Sequence, residues 1–236
     1  MPVYRCFNPA PWRFMAFDSA LERRIGGSWG TIAILASEDG TATHAMPGLL
    51  AKPQVPVRDL ADAVHALCAL HGRHPGVIDY ALEHCGQNSA LDWLESAAVG
   101  FTDERTYLAR LTAAAGPLPS TPGQAESEAA ITAQRHALDM LAQSDRAGCA
   151  TGAAIALVLD WAAIRETLDI AARRFGVEPP GSTLPDGFET ASLVSALAET
   201  PAIERAMAFG AQQILAQHRG LWDLLEARAS ARDHHQ

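Results

Sequence analysis

Ala147-Gly148-Cys149-Ala150-Thr151-Gly152-Ala153-Ala154-Ile155-Ala156-Leu157-Val158-Leu159 runs for thirteen residues without a charge and stops at Asp160-Trp161. A helix apolar on every side must be enclosed by protein or lipid. Thirteen residues are too few to cross a bilayer, which needs about 20. The run therefore predicts a central buried helix of a soluble protein. Gly148, Ala150, Gly152 and Ala154 carry almost no side chain, so neighbouring helix backbones can approach closely there.

Upstream, Gln124 to about Ser144 reads as a helix with Ile131, Leu138 and Leu141 on one stripe. Carried forward at 100° per residue, that stripe does not join the one formed by Leu157, Trp161, Ile164 and Leu168. Together with Ser144-Asp145-Arg146 and Gly148, the mismatch predicts an αα-hairpin turn at residues 144–148. Downstream, the loop Gly176 to Gly187 is followed by a helix from Phe188 to Ala198. Thr200-Pro201 then signals an N-cap with proline at the first helical position. Ile203, Met207, Gly210 and Ile214 continue that last helix, Leu221 to Ala229 extends it, and 230–236 reads as a frayed tail.

Toward the N-terminus, Val57, Leu60, Ala61, Val64, Leu67, Cys68 and His71 share one helical stripe. Helices are also predicted over Pro75 to Cys85, over Ser89 to about Ala98, and from Thr102-Asp103-Glu104 through Leu111. Gly116 to Gly123 is a Pro/Gly loop. Residues 1–56 differ in texture. Prolines punctuate them, Trp12, Phe14, Phe17 and Trp29 supply bulky anchors, and Ser19 to Glu22 has capping-box spacing. Thr31 to Ala36, Glu38-Asp39-Gly40 and Thr41 to Met46 read as a small β-hairpin. The expected fold is mainly α, an antiparallel helical bundle (57–229) with an irregular arm (1–56) packed on it.

Composition narrows the function classes. Hydrophobic residues make up 48% and charged residues 19% of the 236, with a net charge of −9. That balance argues against a nucleic-acid partner, whose affinity comes from phosphate neutralisation. Lys52 is the only lysine, which with the abundant alanine suggests a GC-rich bacterial genome. Cys6, Cys68, Cys85 and Cys149 lack the close spacing of zinc or redox pairs and read as buried thiols in a reducing compartment. With no apolar leader near Met1, the expectation is a cytoplasmic protein with no membrane partner.

Few residues invite chemistry. No Glu-x-x-His pair occurs, so a ferritin-type carboxylate centre lacks its ligands. The nearest forms are Asp62/His65 and His136/Asp139; Asp62 is read as projecting away from the Val64 stripe with His65 at its side, and His136 as pointing nearly opposite Leu138. No nucleophile-elbow, phosphate-loop or dinucleotide pattern is present, and neither a cofactor nor a metal is predicted. The polar residues that crowd apolar stripes are Gln134, Asp145, Asp160 and His71, with Trp161 beside them. A buried carboxylate is costly unless paired, and Asp160 is expected to be at least half buried against an arginine such as Arg146 or Arg135. A structural ion pair and a polar-bottomed ligand pocket are both open readings of this group.

Gln134-Arg135-His136, Asp145 to Ala154 and Leu159-Asp160-Trp161-Ala162-Ala163-Ile164-Arg165 resemble an uncharacterised family of alanine-rich bacterial helical proteins, and the long helices look broadly ferritin-like. The resemblance implies no activity and lends no catalytic residues. The expected function is a non-catalytic scaffold or partner-binding homo-oligomer. The alternatives are a small-molecule-binding bundle with its pocket near Asp160-Trp161, and a metal-dependent oxidoreductase of ferritin-like type.

Overall fold

The computed structural model describes residues 28–85, 88–197 and 200–234, and among them there are helices and no strand. In chain order the helices are α1 (Ser28–Asp39), α2 (Ala45–Leu50), α3 (Val57–His71), α4 (Val77–Glu83), α5 (Leu91–Ala115), α6 (Gln124–Ala142), α7 (Cys149–Phe175), α8 (Gly187–Leu197) and α9 (Pro201–His234). No helix among the described residues is long and apolar enough to cross a membrane.

The uncharged run forms the first half of α7, and every residue from Cys149 to Val158 is buried. α7 packs most closely on α9 and also meets α1, α3, α4, α5 and α6. Glycine allows the α7–α9 approach. A Cβ at Gly152 would sit 2.5 Å from Met207 Cα, and one at Gly210 would sit 2.9 Å from Ala153 N. The turn between α6 and α7 falls at residues 143–148, as the stripe mismatch predicts, and Gly148 closes it with φ +90°. Thr200 caps α9, its hydroxyl accepting a hydrogen bond from Ile203 N at 3.3 Å.

Several expectations need correction. Thr31 to Ala36 is not a strand but the middle of α1. Its β-branched residues suggested an extended run, yet Trp29 and Ile32 are buried and Ala33 and Ala36 half-buried, at spacings of three, four and seven residues that belong to one helical face. Ser89–Ala98 and the segment after Thr102 are not two helices, because α5 runs unbroken through Gly100. That glycine answers tertiary crowding, since a Cβ there would lie 2.9 Å from Thr183 O. The first helical proline expected at Pro75 lies outside α4, which starts at Val77 with Gly76 N donating to Asp79 Oδ2 at 2.7 Å. Residues 230–234 are not frayed: α9 continues to His234, held by the buried Arg232. The segment Ser19 to Glu22 and the anchors Trp12, Phe14 and Phe17 lie outside the described residues.

Ion clusters in and beside the core tie the helices together. Arg228 and Arg232 of α9 meet Asp59 and Asp62 of α3 at 2.7–2.8 Å. Asp62, read as pointing outward, is thus only 2% exposed. A charge there survives because two guanidinium groups from a distant helix satisfy it. Arg165 of α7 binds Glu104 at 2.5 Å, Asp169 at 2.8 Å and the Pro180 carbonyl, which straps the 176–186 loop onto α5 and α7. Arg105 pairs with Asp79 and stacks over Phe101.

Candidate functional site

Asp160 lies where the uncharged half of α7 ends, and it is 4% exposed. Its partner is not an arginine. The backbone N–H and the hydroxyl of Thr41, in a 3-10 turn after α1, donate to its two oxygens at 2.6 Å each. His218 Nδ1 of α9 donates to Oδ2 at 2.6 Å. Arg146, expected as partner, lies in the α6–α7 turn, about three helical turns of α7 short of Asp160, and is exposed, stacked over Phe209 instead. Gly40 makes the Thr41 approach possible, since a Cβ there would lie 2.8 Å from Asp160 Oδ1.

The network continues in both directions. Trp222 Nε1 donates to Thr41 Oγ1 at 2.9 Å, which fits a hydroxyl whose proton is committed to Asp160. On the other side His218 Nε2 lies 3.0 Å from His71 Nε2. Burial, the neighbouring His218 and then Arg105 push the His71 imidazole well below its ordinary range, so His71 is uncharged. Burial alone would raise the Asp160 carboxyl, but the His218 and Thr41 hydrogen bonds outweigh it and hold Asp160 below the usual carboxylate value. A neutral imidazole that donates from Nδ1 accepts at Nε2, so in this arrangement the proton between the two facing nitrogens belongs to His71 Nε2. His71 also packs edge-on against Trp161 (5.4 Å) and Phe101 (6.2 Å).

Beyond His71 lies a small pocket of about 20 Å³, room for a water molecule. Its wall includes His71, Arg73, Phe101, Arg135 and Asp139. Arg135 also forms part of the wall of a second, larger cavity of about 340 Å³ between α3, α6 and α9. The larger cavity combines the apolar Ala66, Ala69, Leu118, Ile131 and Leu225 with Asp62, His65, Gln124 and Arg228. Arg228 is spoken for by Asp62, Thr121 and Gln124. Arg135 is half-buried and makes no hydrogen bond or ion pair among the described residues.

A family model described as a family of unknown function (DUF6975) matches residues 36–233. The chain belongs to this family. The DUF6975 match spans Thr41, His71, Asp160 and His218 together with the whole lining of both cavities. Comparison with curated proteins and with solved structures finds no match.

The residues singled out in this DUF6975 chain from sequence do not form one site. Asp160, Trp161 and His71 come together in the core, and His71 alone of the three lines a described pocket. Gln134 is a helix clamp, its amide donating to Gln217 O at 3.1 Å above Gly220. Asp145 is exposed in the α6–α7 turn. The sequence reading missed His218, Thr41 and Arg228. A signal for His218 existed, because it sits four residues beyond Ile214 on the apolar stripe of α9. Thr41 carried no such signal.

Proposed function

We propose that the protein is a non-catalytic helical-bundle binder of small molecules, its ligand seated in the cavity between α3, α6 and α9. The observation that carries the reading is that cavity's 340 Å³ volume and a wall surface that is apolar over most of its area with polar side chains set among it, in the size range of ligand sites in proteins. The site differs from the pocket expected beside Asp160 and Trp161. Those two side chains lie in the core, where His71 beside Trp161 shares the wall of the small pocket with Arg135, and Arg135 in turn lines the larger cavity.

The buried Asp160–His218–His71 chain supports a positioning role and not catalysis. Nucleophilic catalysis needs a hydroxyl or thiol within hydrogen-bond reach of the base, and among the described residues His71 hydrogen-bonds His218 alone. Titration with the uncharged fluorescent probe N-phenyl-1-naphthylamine tests the reading. Saturable binding near one probe per chain, abolished by the cavity-filling Ile131→Trp variant while its helicity is kept, is the expected result. Probe binding absent from the wild type, or unaffected by Ile131→Trp, overturns it.

A further inference from the structure

The cavity's free charge points to the class of its ligand, an inference that rests on the binding reading above. Gln124, Ser127, Glu128, Ile131, Thr132 and Arg135 line the cavity from α6. Their spacings of three and four residues place them on one helical face, and Gln124 and Arg135 are about 16 Å apart along the axis. The two ends differ. At the Gln124 end, the Arg228 guanidinium already has Asp62 bound at 2.7 Å through two nitrogens, plus Thr121 and Gln124. At the other end, Arg135 stands half-buried with no anion of its own.

A guanidinium partly removed from water gains most from a planar two-oxygen partner, which it grips through two parallel N–H bonds. The surroundings limit the charge of that partner. Asp139 shares the small pocket with Arg135 without pairing to it, Glu128 stands exposed at the cavity, and Arg73 reaches only the small pocket. One uncommitted cation among these carboxylates suits a single negative charge and disfavours a phosphate dianion. Between the two ends Ala66, Ala69, Leu118, Ile131 and Leu225 stand among Ser127, Glu128 and Thr132, and the five apolar side chains suit an apolar body.

We propose that the cavity takes an amphipathic monocarboxylate, its carboxylate held by Arg135 and its apolar body enclosed by Leu118, Ile131 and Leu225. Displacement of bound N-phenyl-1-naphthylamine by decanoate and by decanol, at the same pH and ionic strength, tests this. Decanoate is expected to displace the probe at lower concentration than decanol in the wild type. Arg135→Gln should weaken decanoate at least tenfold and leave decanol unchanged, while Arg135→Lys retains most of the decanoate preference. Among the described residues Arg135 has no partner to lose, so both variants should unfold at the wild-type temperature. Equal displacement by decanoate and decanol, or an Arg135→Gln effect on both alike, overturns the carboxylate assignment and leaves the binding reading intact. Failure of the probe itself to bind removes both.

Discussion

His218 Nδ1 lies 2.6 Å from Asp160 Oδ2, joining α9 to α7 where both side chains are enclosed to within 3% of full burial. Thr41 supplies two further donors to the same carboxylate. A charge so deep in a helical core costs several kcal/mol unless its hydrogen-bond capacity is met. Here three donors from two other chain segments meet it, so the carboxylate acts as a rivet between α1, α7 and α9.

Asp160→Ala would strand the Thr41 N–H and the His218 ring in an apolar core, and it is expected to destabilise by about 3–5 kcal/mol. Asp160→Asn should also destabilise, because its amide hydrogens would face donors on one side. Urea unfolding of the two variants measures this. An Asp160→Ala midpoint equal to the wild type would show that the rivet is idle.

Acid should weaken the fold in two separate stages. His71 stays uncharged in the folded state below its ordinary value of 6.5, where the unfolded chain takes up a proton. Stability therefore falls as pH drops from about 6.5, by up to about 1.4 kcal/mol per pH unit for this group. Asp160 acts lower down. Its folded value lies below 3.8, so its contribution is complete above 3.8 and is lost as pH falls through the folded value. Denaturant unfolding between pH 7.5 and 5 should show the first slope, and His71→Asn should flatten it. A slope unchanged by His71→Asn would remove His71 from the account.

Gly152→Ala should destabilise, and Gly152→Leu more so, since the added carbon meets the backbone of Met207 and no flexible side-chain tip. Overpacking of this kind costs about 1–3 kcal/mol. For a chain of this size that lowers the melting midpoint by about 2–4 °C per kcal/mol. An unchanged midpoint would contradict the close α7–α9 crossing.

His44, Asp223 and Glu226 form a surface cluster with metal-ligand geometry, yet the histidine's tautomer disfavours an ion. Met46 N donates to His44 Nδ1 at 3.1 Å, which puts the ring proton on Nε2, where it donates to Asp223 at 3.0 Å. A metal at Nε2 would need that nitrogen bare. Elemental analysis of protein purified without affinity resin should find well under one transition metal per chain. Zinc, manganese or iron near unit stoichiometry, lost in His44→Ala, would refute this.

Local patterns determined much of the helical framework. The uncharged run placed the buried half of α7, the stripe mismatch placed the α6–α7 turn, and Thr200-Pro201 placed the start of α9, because capping and periodicity act within a few residues of chain. The same locality explains the misses. The single helix α5 read as two, because the Thr183 backbone that Gly100 accommodates lies 83 residues away in the chain. Asp62 looked solvent-facing because its arginine partners come from α9, 166 and 170 residues further on. That Asp160 would be buried was legible where the apolar run stops. That it binds Thr41 and His218 was decided only when three segments far apart in sequence packed together. The cavity and its unpaired Arg135 belong to the tertiary structure alone, since a cavity is the space several helices fail to fill and no single helix encodes it.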